Sequence, residues 1–132
     1  MSLQTLFDNP SITIAYDHLN DWLYVDWHGD QNLLSVQHGA GEIMRSLVQQ
    51  RCGKVLNDNT HVTSMWSEAA EWAGREWFPA MTAAGLRYFA WVYSPNLYSR
   101  LSTDLTLQYT TGNTVISTFD DLDTAQAWLS LM

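Results

Sequence analysis

Trp22-Leu23-Tyr24-Val25-Asp26-Trp27 alternates side chains in the manner of a β-strand, and His28-Gly29-Asp30 stops it with turn residues. Beyond that stop the period changes. From Leu33 onward apolar residues recur at Val36, Ala40, Ile43, Met44, Leu47 and Val48, close to the 3.6-residue helical repeat, which predicts an amphipathic helix that tolerates Gly39 and Gly41. Gly53 follows the last turn, where a positive φ costs glycine nothing, and Lys54-Val55-Leu56-Asn57 then reads as a short strand. Strand, helix and strand in that order form a crossover unit with helices packed on a sheet, and the rest of the chain is read outward from it.

Upstream, Ile12-Thr13-Ile14-Ala15-Tyr16 also alternates, and Asp17-His18-Leu19-Asn20 supplies turn chemistry, so residues 12–27 predict a two-stranded hairpin. Downstream, Asn57-Asp58-Asn59-Thr60-His61 is a dense run of residues that bond their own backbone, which predicts a structured loop leaving the sheet. A second helix begins between Ser64 and Ser67. It carries Ala69, Trp72, Ala73, Trp77, Phe78 and Met81, and Pro79 predicts a kink or restart near Phe78. After Gly85, Leu86-Arg87-Tyr88-Phe89-Ala90-Trp91-Val92-Tyr93 is the most β-prone run and predicts a central strand. Ser94 as N-cap and Pro95 as first helical residue start a third helix through Leu97, Leu101 and Leu105. Thr114-Val115-Ile116-Ser117-Thr118-Phe119 is the last strand, and Asp120-Asp121-Leu122-Asp123 opens a terminal helix with Ala125, Trp128, Leu129 and Met132 as its buried stripe. The prediction is one α/β domain over residues 1–132: a mixed sheet of about five strands, largely parallel after its N-terminal hairpin, with four helices packed on it.

Composition agrees with that size. The chain has 132 residues, 46% of them hydrophobic and 15% charged, enough for one apolar core. Cys52 is the single cysteine, so no intrachain disulfide forms and a reducing, cytoplasmic setting is expected. A net charge of −8 repels phosphate backbones and anionic headgroups, which argues against nucleic acid as a partner. Met1-Ser2-Leu3-Gln4 does not open a secretion signal, and no membrane span is expected. The seven tryptophans fall in or beside predicted elements, where core packing is their ordinary use.

The order of elements, together with Val55-Leu56 and Asp58-Asn59-Thr60-His61-Val62-Thr63-Ser64-Met65-Trp66-Ser67-Glu68-Ala69, resembles the STAS superfamily, the fold of bacterial anti-sigma-factor antagonists, and more closely its SpoIIAA-like branch. Laid on that family's strand-to-helix run, with one extra residue in the strand, Val62, Met65 and Ser67 match. Ser67 is then the position that resembles the family's phosphoacceptor. Trp66, Glu68 and Ala69 stand where the family has Asp, Ser and Gly. Phe119 and the acidic turn before Ala125-Gln126-Ala127-Trp128-Leu129 resemble the branch's usual ending. The resemblance implies a non-catalytic regulatory or protein-interaction module whose partner is a regulatory kinase or a sigma-regulator-like protein.

The candidate chemistry follows these placements. Ser67 at a helix start is suited to carry phosphate, although Ser64 or Ser67 as a plain helix cap is the commoner use. Asn59, Thr60, His61, Ser64 and Trp66, with Ser94, Asn96, Tyr98 and Arg100 from the next strand's loop, are expected to form an interaction surface at the carboxyl ends of the strands. Turn and cap chemistry is the competing account of the same polar residues. As an alternative function, Trp66, Trp77, Phe78 and Met81 line an apolar pocket for a small molecule or lipid. A third reading makes Trp77, Phe78 and Met81 a homodimer face. His18, His28, His38 and His61 lack metal-ligand spacing, and no catalytic residue, metal or cofactor is expected.

Overall fold

Alternation over Ile12–Asp17 and Trp22–Gly29 makes β2 and β3 the predicted hairpin, here in a computed structural model that describes residues 2–132. They belong to a six-stranded sheet whose order follows the chain: β1 (Leu3–Asn9), β2, β3, β4 (Lys54–Val62), β5 (Tyr88–Val92) and β6 (Val115–Phe119). The first three strands are antiparallel and the pairs from β3 to β6 are parallel. β1 is the strand the sequence reading does not foresee. It is an edge strand, exposed over its first half, and a register shift between Thr5 and Phe7 interrupts its alternation. Asn9 Oδ1 accepts from the backbone of Ser11 and Ile12 and so closes the β1–β2 turn.

β4 corrects a second expectation. The polar run from Asn57 to His61 does not leave the sheet; it continues the strand to Val62, and Asn57, Asp58 and Asn59 are buried. Each finds a partner inside, which removes the cost that would have expelled it. Between the Asp26/Asp58 and His28/His61 pairs β4 carries one residue more than β3, a bulge at the place where the family alignment needs its extra residue.

Each parallel strand pairs with the next in sequence, so right-handed crossovers place the intervening helices on one face. α1 (Leu33–Gln50) and a helical segment over residues 67–83 cover Ile12, Ile14, Leu23, Val25, Trp27, Val55, Phe89 and Trp91 there. α5 (Leu122–Leu131) covers the other face, with Ala125 and Leu129 against Trp22, Leu56, Ala90 and Val92. Met132, expected in that stripe, is 41% exposed because the helix ends before it. α1 ends at a left-handed Arg51 (φ 53°), not at Gly53, whose carbonyl instead accepts from Arg87 and Tyr88.

The segment over 67–83 is a composite. A 3-10 turn (Ser67–Ala69) leads into α2 (Ala70–Trp72), a π turn (Ala73–Trp77) and α3 (Phe78–Ala83). Pro79 lacks the N–H that a regular helix would use, and the π turn absorbs the defect: the Phe78 N–H bonds the Ala73 carbonyl five residues back and the helix restarts there, as predicted.

α4 (Leu97–Tyr109) overturns two expectations. Its N-cap is Asn96, whose Oδ1 accepts from the Ser99 N–H. Its inner face is Ser99, Ser102, Thr103 and Thr106, while Leu97 and Leu101 stand outside at 64% and 53% exposure. Close approach explains the inversion. A Cβ on Gly74 would lie 2.6 Å from Tyr109 Cβ and 2.7 Å from the Thr106 carbonyl oxygen, so the two helices meet at a distance that only short side chains fit. Ser102 and Thr106 satisfy their hydroxyls by donating to the Tyr98 and Ser102 carbonyls of their own helix.

Gly74→Ala is therefore expected to destabilise the fold by about 1–3 kcal/mol, because the neighbour is backbone and has no room to move. Gly41→Ala, which meets open space in α1, should be neutral or stabilise by up to about 1 kcal/mol. Urea unfolding of the two variants beside the native chain checks both signs.

Candidate functional site

Trp27, Trp66, Trp77 and Trp91 converge between the sheet and its helical layer, and with Phe78 and Phe89 they wall a cavity of about 40 Å³. Strands and helices both contribute. Alternation on β3, β4 and β5 turns Trp27, Asn57, Asn59, Phe89 and Trp91 to the same face, Asn57 being the register partner of Trp91. The π turn delivers Trp77 beside Phe78, and Trp66 precedes the 3-10 turn. α1 supplies Val36, Ala40 and Ile43. The rings interlock edge to face: Trp77 against Phe78 at 4.8 Å between centroids, Phe78 against Phe89 at 5.0 Å, and Phe89 against Trp91 at 5.3 Å.

Polar atoms at this site are few and nearly all accounted for. The Trp27 indole donates to Asn57 Oδ1 at 2.9 Å, and Asn57 Nδ2 donates to Asn59 Oδ1 at 3.1 Å. Trp77 Nε1 donates to the Ala40 carbonyl at 2.9 Å, and Trp66 Nε1 to Ser99 Oγ at 3.2 Å. Trp91 Nε1 is buried with no acceptor among the described residues, an omission that ordinarily costs about 1–3 kcal/mol. Gln31, also lining, spends its amide on the Ser11 and His28 carbonyls and on the Ser35 hydroxyl. None of the lining side chains is titratable.

The expected interaction surface divides. Asn59, Trp66 and Ser94 are buried, which corrects their placement as surface residues. Trp66 is held from outside by α4, its backbone N–H donating to Ser102 Oγ at 3.0 Å. Ser94 donates to the Val62 carbonyl and accepts from the Asn96 N–H, and Asn96 Nδ2 donates to the Thr63 carbonyl. The Ser64 hydroxyl ties the end of β4 to Gln31, accepting from the Gln31 N–H and donating to the Gln31 carbonyl. Arg100 lies 4.0 Å from the Tyr93 ring centroid and bonds Asp120 at 3.0 Å. Thr60, His61 and Tyr98 remain exposed. Ser67 is half-buried at the start of the 3-10 turn, and its neighbour Glu68 accepts from the Leu33 N–H at the start of α1. Trp77, Phe78 and Met81 are buried, at 8%, 1% and 0% exposure, so they do not form a dimer face; Trp77 and Phe78 line the cavity and Met81 lies in the core beside it.

On the opposite face the bulge sets Asp26, Asp58 and His61 together. Tyr24 Oη and both donors of Thr60 bond Asp58, and His61 Nδ1 lies 3.5 Å from Asp26 Oδ1. Burial first, and the Asp58 carboxylate second, raise the Asp26 pKa above its usual 3.8. Burial and Asp58 push the Tyr24 phenol upward as well. Among the described residues no group of three or more His, Cys, Asp or Glu side chains is placed to hold a metal ion. A raised carboxyl holds its proton more firmly in the folded chain, so its contribution to stability is full below pH 3.8 and is lost as pH rises through the folded value. Asp26→Asn should therefore gain stability relative to the native chain as pH rises from 3.5 to 7, measured as the difference in Tm at the two pH values.

No family model and no curated protein matches the chain. Among solved structures it is similar to an uncharacterised protein of the DUF3478 family from Shewanella loihica, described as having a SpoIIAA-like fold, at 15% identity and a TM-score of 0.55, over 94% of this chain and 98% of that one. The six strands, their order and the helices on both faces thus constitute a SpoIIAA-like fold.

Proposed function

We propose that this chain is a non-catalytic binding module that takes a small, largely apolar molecule into its aromatic cavity. The observation that carries the proposal is the wall itself: four tryptophans and two phenylalanines surround free space that close packing would ordinarily fill. The π turn supports it, since such turns recur at functional sites and this one places Ala73 and Trp77 on the cavity. A lining without a titratable group offers no acid, base or nucleophile, which favours binding over catalysis.

A regulatory contact with a protein partner is the second reading, and its support is separate. α4 exposes Leu97, Tyr98 and Leu101 at 64%, 57% and 53%, an apolar surface that its own fold does not cover. The SpoIIAA-like fold suits such a role. A partner captured by the native chain and lost from a Leu97→Asp, Leu101→Asp double variant would favour it; equal capture would remove this support.

The binding reading is tested by titrating cyclopentanone and methylcyclopentane while following tryptophan fluorescence. At least one should give a saturable change, and Ala73→Leu, which fills the cavity, should weaken binding by tenfold or more, about 1.4 kcal/mol, with circular dichroism confirming the fold. If neither compound saturates, the proposal fails.

A further inference from the structure

We infer that the ligand carries a neutral hydrogen-bond acceptor, received in the cavity by Trp91 Nε1 and Asn59 Nδ2. The inference deepens the binding reading and rests on it. Of the four tryptophans that line the cavity, Trp27, Trp66 and Trp77 each donate their indole N–H to a protein acceptor between 2.9 and 3.2 Å, and that of Trp91 alone meets none among the described residues. Its residue is 5% exposed, so bulk water does not serve it.

The second donor follows from a chain of assignments. An indole nitrogen only donates, so the atom of Asn57 facing Trp27 is the amide oxygen and the other is the nitrogen. That nitrogen donates, which makes the Asn59 atom facing it the oxygen. Asn59 is left presenting its own Nδ2 as a donor, and no protein acceptor meets it among the described residues. Both free groups therefore donate, from neighbouring strands on one face of the sheet.

Donors without acceptors select an acceptor. No cationic side chain lines the cavity, so an anion would surrender its hydration without a counter-charge, and a carbonyl or ether oxygen fits better. An ammonium would meet N–H groups rather than lone pairs. The free space, about 40 Å³, admits roughly three waters at 10–15 Å³ each, which matches one small ring and not an acyl chain.

Cyclopentanone and methylcyclopentane have nearly the same shape and differ in oxygen against methyl. The native chain should bind the ketone about tenfold more tightly, one buried hydrogen bond's worth, and the ketone should shift the Trp91 indole resonance downfield in ¹⁵N-edited NMR. Trp91→Phe keeps an aromatic wall and removes the N–H; the preference should then fall to about threefold or less. The indole shift needs no variant and stands if Trp91→Phe fails to fold. Equal binding of the two compounds with the Trp91 resonance unmoved overturns this inference and leaves the binding reading intact. Absence of binding by both overturns the two together.

Discussion

Trp27 is the residue on which the layer between sheet and helices is built. Its ring lies so close to α1 that a Cβ on Gly39 would stand 2.4 Å from its Cη2, and its indole N–H reaches the other way to Asn57. The first contact fixes how near α1 comes to the sheet. The second gives a buried amide its acceptor role and so keeps β4 in the sheet past Leu56, where local turn chemistry would have released it. Without that bond, burying Asn57 and Asn59 would leave amide groups unsatisfied in an apolar layer.

The helical side is organised by backbone proximity rather than by large apolar side chains. Gly74 and the hydroxyl face of α4 allow the two helices to touch, and the same contact lets Ser99 and Ser102 hold Trp66 by its indole and its main chain. Pro79 forces a π turn, and that turn sets Ala73 and Trp77 against the ring cluster. A helix without the defect would advance Trp77 by a regular step and present it differently to α1 and Phe89. The cavity is thus bounded by two departures from regular structure, the bulge in β4 and the π turn, with Val62 and Trp66 between them.

The two faces of the sheet are chemically distinct because β4 alternates between them. Asn57 and Asn59 face the aromatic layer, where they form a neutral relay, while Asp58 faces Tyr24 and Thr60, and Asp26 lies beside it. The buried charges of β3 and β4 lie on the side on which α5 packs, mainly over β4, β5 and β6. The aromatic side holds no ionisable group at its cavity, which is why its chemistry reduces to shape and to the unpartnered indole N–H of Trp91.

Read alone, the sequence determined the strands with clear period-two alternation, the long helix from Leu33 and the restart at Pro79, because each is written in spacing or in a backbone restriction local to a few residues, while the SpoIIAA-like class came from the resemblance of the run over residues 55–69 and the element order to that family. Its alternative reading grouped Trp66, Trp77, Phe78 and Met81 around an apolar pocket, of which Met81 lies in the core beside the cavity. Tertiary structure decided the rest. β1 exists because β2 offers it an edge, β4 extends through Asn57, Asp58 and Asn59 because Trp27 and Tyr24 on β3 bond the first two and Asn57 in turn bonds the third, and α4 turns Leu97 and Leu101 outward because Gly74 brings a neighbour too close for them. Those outcomes depend on groups many residues apart, and neither propensity nor period carries information about a hydrogen bond or a clash that forms only after the elements meet.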